Sequence, residues 1–369
     1  MMIKKNNLSS PLFREQADQR TAAQILEFLG KIRKKPVFAF AIFAIIISIM
    51  PILADSDIIG KSMVTAIGDT MIFCIVALGF CLLLGYSALA SLGTAGFIAI
   101  GAYSAYYGIV EWELGIGIAF ALAIVAALII GIIVGYISLR IEGIYLAIVT
   151  LGVAQIIKEV LSALMDTIKI KGSQLVLFGS EDLKLKTDHC FYILIAVMFI
   201  LMLITSNLMN SPTGRAMLAM KNSTSAAQAF GISLLKYRLM AFMISIVFAS
   251  VAGFLFMLYS RYVSNSSSTL FTLSTSLNIL GAVIIGGTKS IWGTIGGTFI
   301  IYGIDKMFLQ DIEFFRENPT LITLFCGILV VVVVMFYPGG LAQLMLEIKF
   351  KLTQLFKKMR EARYGKDLG

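Results

Sequence analysis

The chain has 369 residues, of which 59% are hydrophobic and 14% are charged, and its mean hydropathy is +0.91. Soluble domains carry about 25% charged residues, so this chain has too little polar surface for a water-soluble protein of its size. Its formal net charge is +9. The basic residues lie in short segments beside apolar blocks, where they set membrane topology, and the aromatic residues lie mainly inside the blocks. Composition therefore excludes a soluble globular protein and argues against nucleic acid as a partner.

Metal and nucleotide chemistry find little support in the sequence. The four cysteines and the single histidine, His189, form no CxxC or Cys/His ligand spacing. Residues 281–290 superficially resemble a phosphate-binding loop, but Gly287 stands where that motif requires lysine. We therefore expect no metal, no cofactor, no catalytic residue and no ATP site in this chain.

The N-terminal residues 1–36 are polar and basic, and apolar residues at helical spacing between 25 and 32 predict a helix on the cytoplasmic membrane face. Ten apolar blocks follow, each near the length that a helix needs to cross a bilayer. These predicted spans are 37–54, 63–85, 92–110, 114–138, 143–165, 190–209, 238–259, 270–287, 291–309 and 320–337.

If the N-terminus is cytoplasmic, most of the 30 lysine and arginine residues fall in segments on the cytoplasmic side of the membrane. The positive-inside rule then favours an even number of spans with both termini in the cytoplasm. Ten spans fit, and eight fit if two weak segments are re-entrant. The expected fold is an all-α, polytopic membrane protein: a permease domain over 37–340, followed by a basic cytoplasmic tail over 341–369.

Two of the predicted spans, 92–110 and 270–287, are interrupted by glycine or by polar residues. Short polar connections, 86–91 and 288–290, lie beside them, and a Gly-Thr pair follows each connection. Broken helices of this kind let backbones approach closely and expose polar groups to a pathway. Tight helix packing alone explains the same residues equally well. The candidate pathway residues are Ser91, Gly93, Thr94, Gly96, Thr150, Gly286 and Gly287.

The predicted cytoplasmic loop 211–238 is basic and contains no acidic residue. Pro212 suits the start of a helix, the alanines that follow favour its continuation, and Gly231 suits its C-cap. One interpretation is a surface helix lying on lipid headgroups. The other is a coupling helix that docks into a partner ATPase, because small residues permit close approach. The candidate coupling residues are Gly214, Arg215, Ala216, Lys221, Ala226, Ala227 and Gly231.

Among the charged residues within predicted spans, Asp69, Lys158 and Glu159 are candidates for a functional role. A charge inside the membrane is costly and often functional. All three also lie near span ends, where they could sit at the interface. We find no carboxylate convincingly at mid-span, as a proton-coupled carrier would need.

Several motifs resemble the branched-chain amino acid permeases of ABC transporters, the LivM/LivH-type family. The loop matches Pro-x-Gly-Arg-Ala (212–216), followed by Ala226, Ala227, Gly231 and Ile232. Segments 82–103, 143–160, 279–297 and 337–341 resemble further family motifs in the same order, and 143–160 indicates the LivM branch.

The resemblance implies a bacterial inner-membrane permease that pairs with a sister permease or a second copy. It further implies two ATP-binding subunits, a periplasmic solute-binding protein, and leucine, isoleucine or valine as the solute. The sequence leaves three alternatives open: a permease for a sugar, nucleoside or amide, an ion-coupled secondary transporter, and a membrane-embedded enzyme.

Overall fold

The computed structural model describes residues 36–56, 60–139, 143–165, 167–170, 187–264, 269–309, 319–337 and 339–348, together with 350 and 354. The predicted interfacial helix within 1–36 and most of the C-terminal tail lie outside these residues. The described chain is almost entirely helical, apart from one small antiparallel sheet.

Thirteen α-helices and two strands are numbered here in chain order. The helices are α1 Pro36–Ser48, α2 Met50–Asp55, α3 Lys61–Ser87, α4 Thr94–Tyr106, α5 Ile116–Ser138, α6 Ile144–Leu164, α7 Thr187–Asn210, α8 Pro212–Asn222, α9 Thr224–Ala229, α10 Leu234–Ser260, α11 Leu273–Gly286, α12 Ile291–Thr298 and α13 Pro319–Phe336. The strands are β1 Thr167–Lys169 and β2 Tyr262–Ser264.

Some helices continue with a different hydrogen-bond pattern. A π-helical turn, Tyr107–Glu111, extends α4, and two more, Phe299–Gly303 and Asp305–Leu309, extend α12. A 3₁₀ turn, Thr269–Phe271, precedes α11. Single π turns inside membrane helices often mark functional or strained positions.

The centre of the bundle is formed by α3 and α10, each 27 residues long and apolar around most of its circumference. In a membrane an apolar surface can face either lipid or protein, so the central position of these helices is set by their packing contacts with neighbouring helices. The contact between α4 and α10 is close because small residues meet there: a Cβ at Gly101 would overlap the Ser250 carbonyl, and a Cβ at Gly253 would overlap the Ile98 carbonyl. Glycine at these positions lets two backbones come into direct contact, as at many helix pairs in membranes.

The bundle has two distinct ends. At one, which we call the strand end, β1 pairs with β2 in the register Thr167↔Ser264, and the Tyr103 hydroxyl donates to the Met165 carbonyl at 2.7 Å. At the other, the loop end, α8 lies against the last turn of α3, and that turn packs against the turn between α11 and α12. Loops that the charge pattern assigns to the same side of the membrane therefore lie at the same end of the bundle.

Six segments among the described residues are long and apolar enough to cross a membrane, and the shorter apolar segments Leu273–Gly286 and Ile291–Gly303 lie in two further predicted spans. The chain is thus an all-α polytopic membrane protein, as the composition predicted. Each of the ten predicted spans contains helix. The count of ten membrane crossings itself stays a prediction.

Candidate functional site

The start of α4 lies between α6 and α11, and hydroxyl groups from both neighbours bind it. The chain leaves α3 at Ala88, which adopts a left-handed conformation with φ of 55°, and residues 88–93 are not helical. The Leu92 amide donates to Thr150 Oγ1 on α6 at 3.1 Å, and the Gly93 amide donates to Ser91 Oγ at 3.2 Å. Amide groups at the N-terminus of a helix have no intrahelical partners. The two side-chain hydroxyls satisfy such amides directly before the first turn of α4.

On the other side, Ser276 of α11 binds α4 twice. Its Oγ accepts from Thr94 Oγ1 at 3.0 Å and from the Ala95 amide at 3.2 Å. Ser276 is fully buried. It belongs to a polar run at the start of a predicted span, so its signal was visible in the sequence, but it was not among the predicted site residues.

Glycines bring α4 close to α6. A Cβ at Gly96 would lie 2.8 Å from Ala154 Cα, and one at Gly93 would lie 3.1 Å from the Thr150 carbonyl oxygen. Five predicted pathway residues thus meet at one place, which we call the α4 junction. Its members are Ser91, Gly93, Thr94, Gly96 and Thr150.

The side chains of the α4 junction face inward. Ser91, Thr94 and Thr150 are at most 3% exposed and hydrogen-bond within the chain. Of the two roles that the sequence leaves open, this geometry favours helix packing over direct contact with a solute in this conformation.

The other two predicted pathway residues, Gly286 and Gly287, belong to a separate group at the loop end. A Cβ at Gly286 would overlap the Gly293 carbonyl, so α11 and α12 touch backbone to backbone. Gly287 has φ of +99°, a conformation that residues with a side chain rarely adopt, and it packs against Gly339. These glycines shape the α11–α12 turn and the entry of the C-terminal segment.

The predicted coupling loop folds as two helices rather than one. Ser211 caps α8 by accepting from the Gly214 amide at 3.1 Å. Ser223 then ends α8 and caps α9, accepting from the Ala226 amide at 3.3 Å. A serine that can accept a backbone amide proton competes with helix continuation, which explains the break that alanine content alone did not predict.

Gly231 forms the C-capping turn of α9, as the sequence predicted. Its φ is +78°, its amide donates to the Gln228 carbonyl at 2.9 Å, and the Ile232 amide donates to the Ala227 carbonyl at 3.0 Å. These two bonds form a Schellman motif. Phe230, just before this turn, is 86% exposed, and it was missed from the sequence because an isolated phenylalanine in an apolar chain gives no signal.

The predicted coupling residues divide into an inner and an outer set. Gly214 and Ala227 are buried, and Ala216 is half-buried. Arg215, Ala226 and Gly231 are exposed. The Arg215 guanidinium donates from Nη1 to the Asn210 carbonyl at 3.1 Å, at the end of α7. The outer set together with Phe230 forms the exposed surface of this loop.

Lys221 faces the bundle, not the solvent. Its Nζ donates to the Leu84 carbonyl at 3.2 Å and to the Gly85 carbonyl at 2.9 Å, at the end of α3. A cation at a helix C-terminus binds carbonyls that have no intrahelical partner and complements the helix dipole. Burial and, to a lesser extent, nearby Lys289 lower the pKa of Lys221 below its ordinary value. Lys221 therefore fastens α8 to the last turn of α3.

Two pairs of polar groups lie within the helical segments. Asp69 of α3 forms an ion pair with Lys306, which lies in the second π turn after α12, and the two side chains are 15% and 27% exposed. On α6, the Gln155 amide donates to a Glu159 carboxylate oxygen at 2.7 Å, and both residues are exposed. Among the described residues, no group of three or more His, Cys, Asp or Glu could hold a metal ion.

Long apolar helices joined at glycine-rich breaks, with a capped helical loop at one end, define a polytopic membrane protein with the architecture expected of a permease. The family model described as "Branched-chain amino acid transport system / permease component" matches residues 62–334. The chain therefore belongs to this family, which confirms the resemblance seen in the motifs. It is a multi-pass inner-membrane transport subunit that works with other components of an ABC transporter.

Individual relatives agree. The chain is 32% identical to the high-affinity branched-chain amino acid transport system permease protein LivM of Escherichia coli, over 74% of this chain and 68% of the relative. It is 30% identical to the protein of the same name in Salmonella typhimurium, with the same coverage. A probable branched-chain amino acid transport permease protein LivM of Methanocaldococcus jannaschii is 26% identical over 62% of this chain and 69% of the relative. No solved structure matches the chain significantly.

Proposed function

We propose that this chain is the channel-forming permease subunit of an ATP-driven importer of branched-chain amino acids. In this proposal it pairs with a second permease, which is a sister subunit or another copy, and takes leucine, isoleucine or valine from a periplasmic binding protein. Two ATP-binding subunits supply the energy, since the sequence carries no ATP-binding motif of its own. The names of the relatives support the solute, and the exposed helix α9 supports the partner ATPases.

The docking surface in this proposal is the outer side of α9 and the turn that follows it. Phe230 is the most exposed large apolar side chain there, and Ala226 and Gly231 beside it leave room for a partner to approach. An aromatic anchor entering a pocket commonly contributes a large share of the binding energy at a protein interface. Arg215, exposed on α8, adds positive charge near this surface.

Movement of the docked loop reaches the membrane helices through Lys221. Its ammonium group binds the carbonyls of Leu84 and Gly85, so a shift of α8 pulls on the last turn of α3. That turn also packs against the α11–α12 turn, where a Cβ at Gly85 would overlap the Thr288 carbonyl and Cys81 Sγ lies 3.3 Å from the same oxygen. The predicted coupling loop, the end of α3 and the α11–α12 turn are therefore linked mechanically at the loop end.

From α3 the displacement passes through residues 88–93 to the α4 junction. Because Thr150 and Ser276 hold the start of α4 from two sides, a pull on this segment changes how α4 sits between α6 and α11. Irregular backbone buried between helices is a suitable place for such a change, since few intrahelical bonds must break. This chain of contacts links ATPase docking to the opening of a pathway.

Two substitutions in the loop test separately whether the ATP-binding subunits dock on it and whether its movement is transmitted to α3. Phe230→Ala should reduce co-purification of the ATP-binding subunits by about tenfold, the loss expected when an anchor contributing about 1.4 kcal/mol or more is truncated. Lys221→Met should leave the ATP-binding subunits associated but reduce ATP-driven leucine uptake, because the loop is no longer fastened to α3.

Controls for these variants come from the same chain. Tyr136→Ala removes an aromatic side chain that is 50% exposed on α5, and Lys236→Met removes an exposed lysine of the same loop. Both should behave like the unmodified chain. If Phe230→Ala retains full association with the ATP-binding subunits, α9 is not the docking surface. Leucine uptake by the permease alone, without nucleotide, would contradict the ATP-driven mechanism.

A further inference from the structure

One face of α6 is exposed on the outside of the bundle and carries two polar groups in the half of the helix between its midpoint and the strand end. Gln155 lies next to the midpoint of α6, and Glu159 lies one turn, about 6 Å, nearer the strand end. Both side chains are exposed, and Gln155 donates to Glu159 at 2.7 Å. Along the same face lie Tyr145, Ile148, Gly152, Ile156 and Val160.

The opposite face of α6 is fully occupied. Thr150 and Ala154 are buried against Gly93 and Gly96 of the α4 junction. The alternation of buried and exposed positions follows the helical repeat, so Gln155 and Glu159 cannot turn inward without displacing Thr150 and Ala154. A Cβ at Gly152 meets nothing within 4 Å, which leaves a shallow surface beside the polar pair.

Other outer helices show what a lipid-facing surface looks like in this chain. The described exposed residues of α1, α5 and α13 are apolar or glycine, with Tyr136 near the loop end of α5 as the one hydroxyl. A carboxylate at similar depth on a lipid-facing helix would be strongly unfavourable, because lipid offers the charge no polar partner. Polar side chains inside a span therefore face protein or a water-filled cavity.

We infer that the exposed face of α6 is covered in the assembled transporter by a second permease chain, and that the Gln155–Glu159 pair lines the water-filled pathway between the two chains. This inference rests on the proposed function, because it takes the second permease from it. A lipid surface does not fit the carboxylate, and an ATP-binding subunit cannot reach the middle of a membrane helix. The pathway then runs beside the α4 junction, to which α6 is fixed through Thr150, so that movement of α4 reaches the pathway wall.

The experiment uses the complete complex in native membranes, with all four native cysteines of this chain replaced by alanine. Single cysteines are placed at Ile156, which is 63% exposed near the middle of α6, and at Ile45, which is 60% exposed near the middle of the Val37–Ala54 segment. The two positions match in depth, residue type and exposure. The probes are a charged thiol reagent, which reacts in water but not in lipid, and a short thiol-to-amine cross-linker.

Ile156→Cys should react with the charged reagent and cross-link to a permease chain, and Ile45→Cys should do neither. If Ile156→Cys reacts no faster than Ile45→Cys, or cross-links to a chain that is not a permease, the inference is overturned. ATP-driven leucine uptake by the cysteine-free chain is measured in the same membranes. Absent uptake with intact labelling and cross-linking would count against the proposed function and not against the geometry of α6.

Discussion

Ser276 illustrates how one hydroxyl group can fix the position of a helix. It is fully buried and accepts two hydrogen bonds from α4, one from Thr94 and one from the Ala95 amide. Substitution Ser276→Ala leaves the Ala95 amide buried without this acceptor, which typically costs about 1–3 kcal/mol. We expect a lower midpoint of thermal unfolding for the purified permease in detergent.

Ser274 provides the matched control for this prediction. It lies two residues earlier on α11 and is exposed. Ser274→Ala should leave the unfolding midpoint close to that of the unmodified chain, since surface substitutions usually change stability by less than about 0.5 kcal/mol. Equal midpoints for the two variants would show that the α4 junction does not depend on Ser276.

At the scale of helices, the approach of α4 to α10 depends on residues without a side chain. A Cβ at Gly101 would overlap the Ser250 carbonyl, and the backbone there cannot move aside as a flexible side chain could. Overpacking of this kind costs typically about 1–3 kcal/mol. Gly101→Ala should therefore lower the thermal stability of the purified permease.

The control substitution is Gly152→Ala on the exposed face of α6. Nothing lies within 4 Å of a Cβ at that position, and alanine in a helix interior is favoured over glycine by about 0.5–1 kcal/mol. The same chemical change should thus stabilise the isolated chain slightly at 152 and destabilise it at 101. Destabilisation of equal size at both positions would contradict the close packing of α4 on α10.

The ion pair between Asp69 and Lys306 joins α3 to the π-helical turn after α12. Both side chains are largely buried, and the second carboxylate oxygen, Oδ1, has no hydrogen-bond partner. Removing one charge from a buried pair leaves the other uncompensated and costs about 3–5 kcal/mol, and removing both is often nearly neutral. Asp69→Asn and Lys306→Met should each destabilise the permease strongly.

A double-mutant cycle measures this coupling. The combined variant Asp69→Asn/Lys306→Met should recover most of the stability lost in each single variant, as followed by thermal unfolding in detergent. Additive losses would mean that the two residues act independently. The sequence predicted Asp69 as an interfacial charge and offered no partner, because the two residues are separated by 237 positions.

The sequence predicts elements better than it predicts the contacts between them. Helical segments follow from apolar length, and the C-cap at Gly231 follows from local chemistry, since both depend on neighbouring residues. The inward orientation of Lys221 and the binding of Ser276 to α4 depend on residues from distant parts of the chain. No local pattern encodes those partners. Likewise, the small residues of the α4 junction indicate close packing, but they do not indicate which helices meet there.

For the whole molecule, the basic loop end should face the cytoplasm and the strand end should face outward. The loop end carries Arg215 and Lys236, both exposed, with no acidic residue between 211 and 238, and positively charged loops are retained on the inner side of the membrane. An even number of crossings then returns the C-terminus to the same side. The orientation can be tested with one cysteine at each end.

Ser225→Cys reports the loop end, since Ser225 is exposed on α9, and Thr167→Cys reports the strand end, since Thr167 is exposed on β1. In a chain without its native cysteines, a membrane-impermeant thiol reagent added to intact cells should label Thr167→Cys and not Ser225→Cys. Inside-out vesicles should give the reverse. The unsubstituted cysteine-free chain controls for non-specific labelling. Labelling of Ser225→Cys in intact cells would place α9 outside, beyond the reach of any ATP-binding subunit, and the proposed coupling would fail with it.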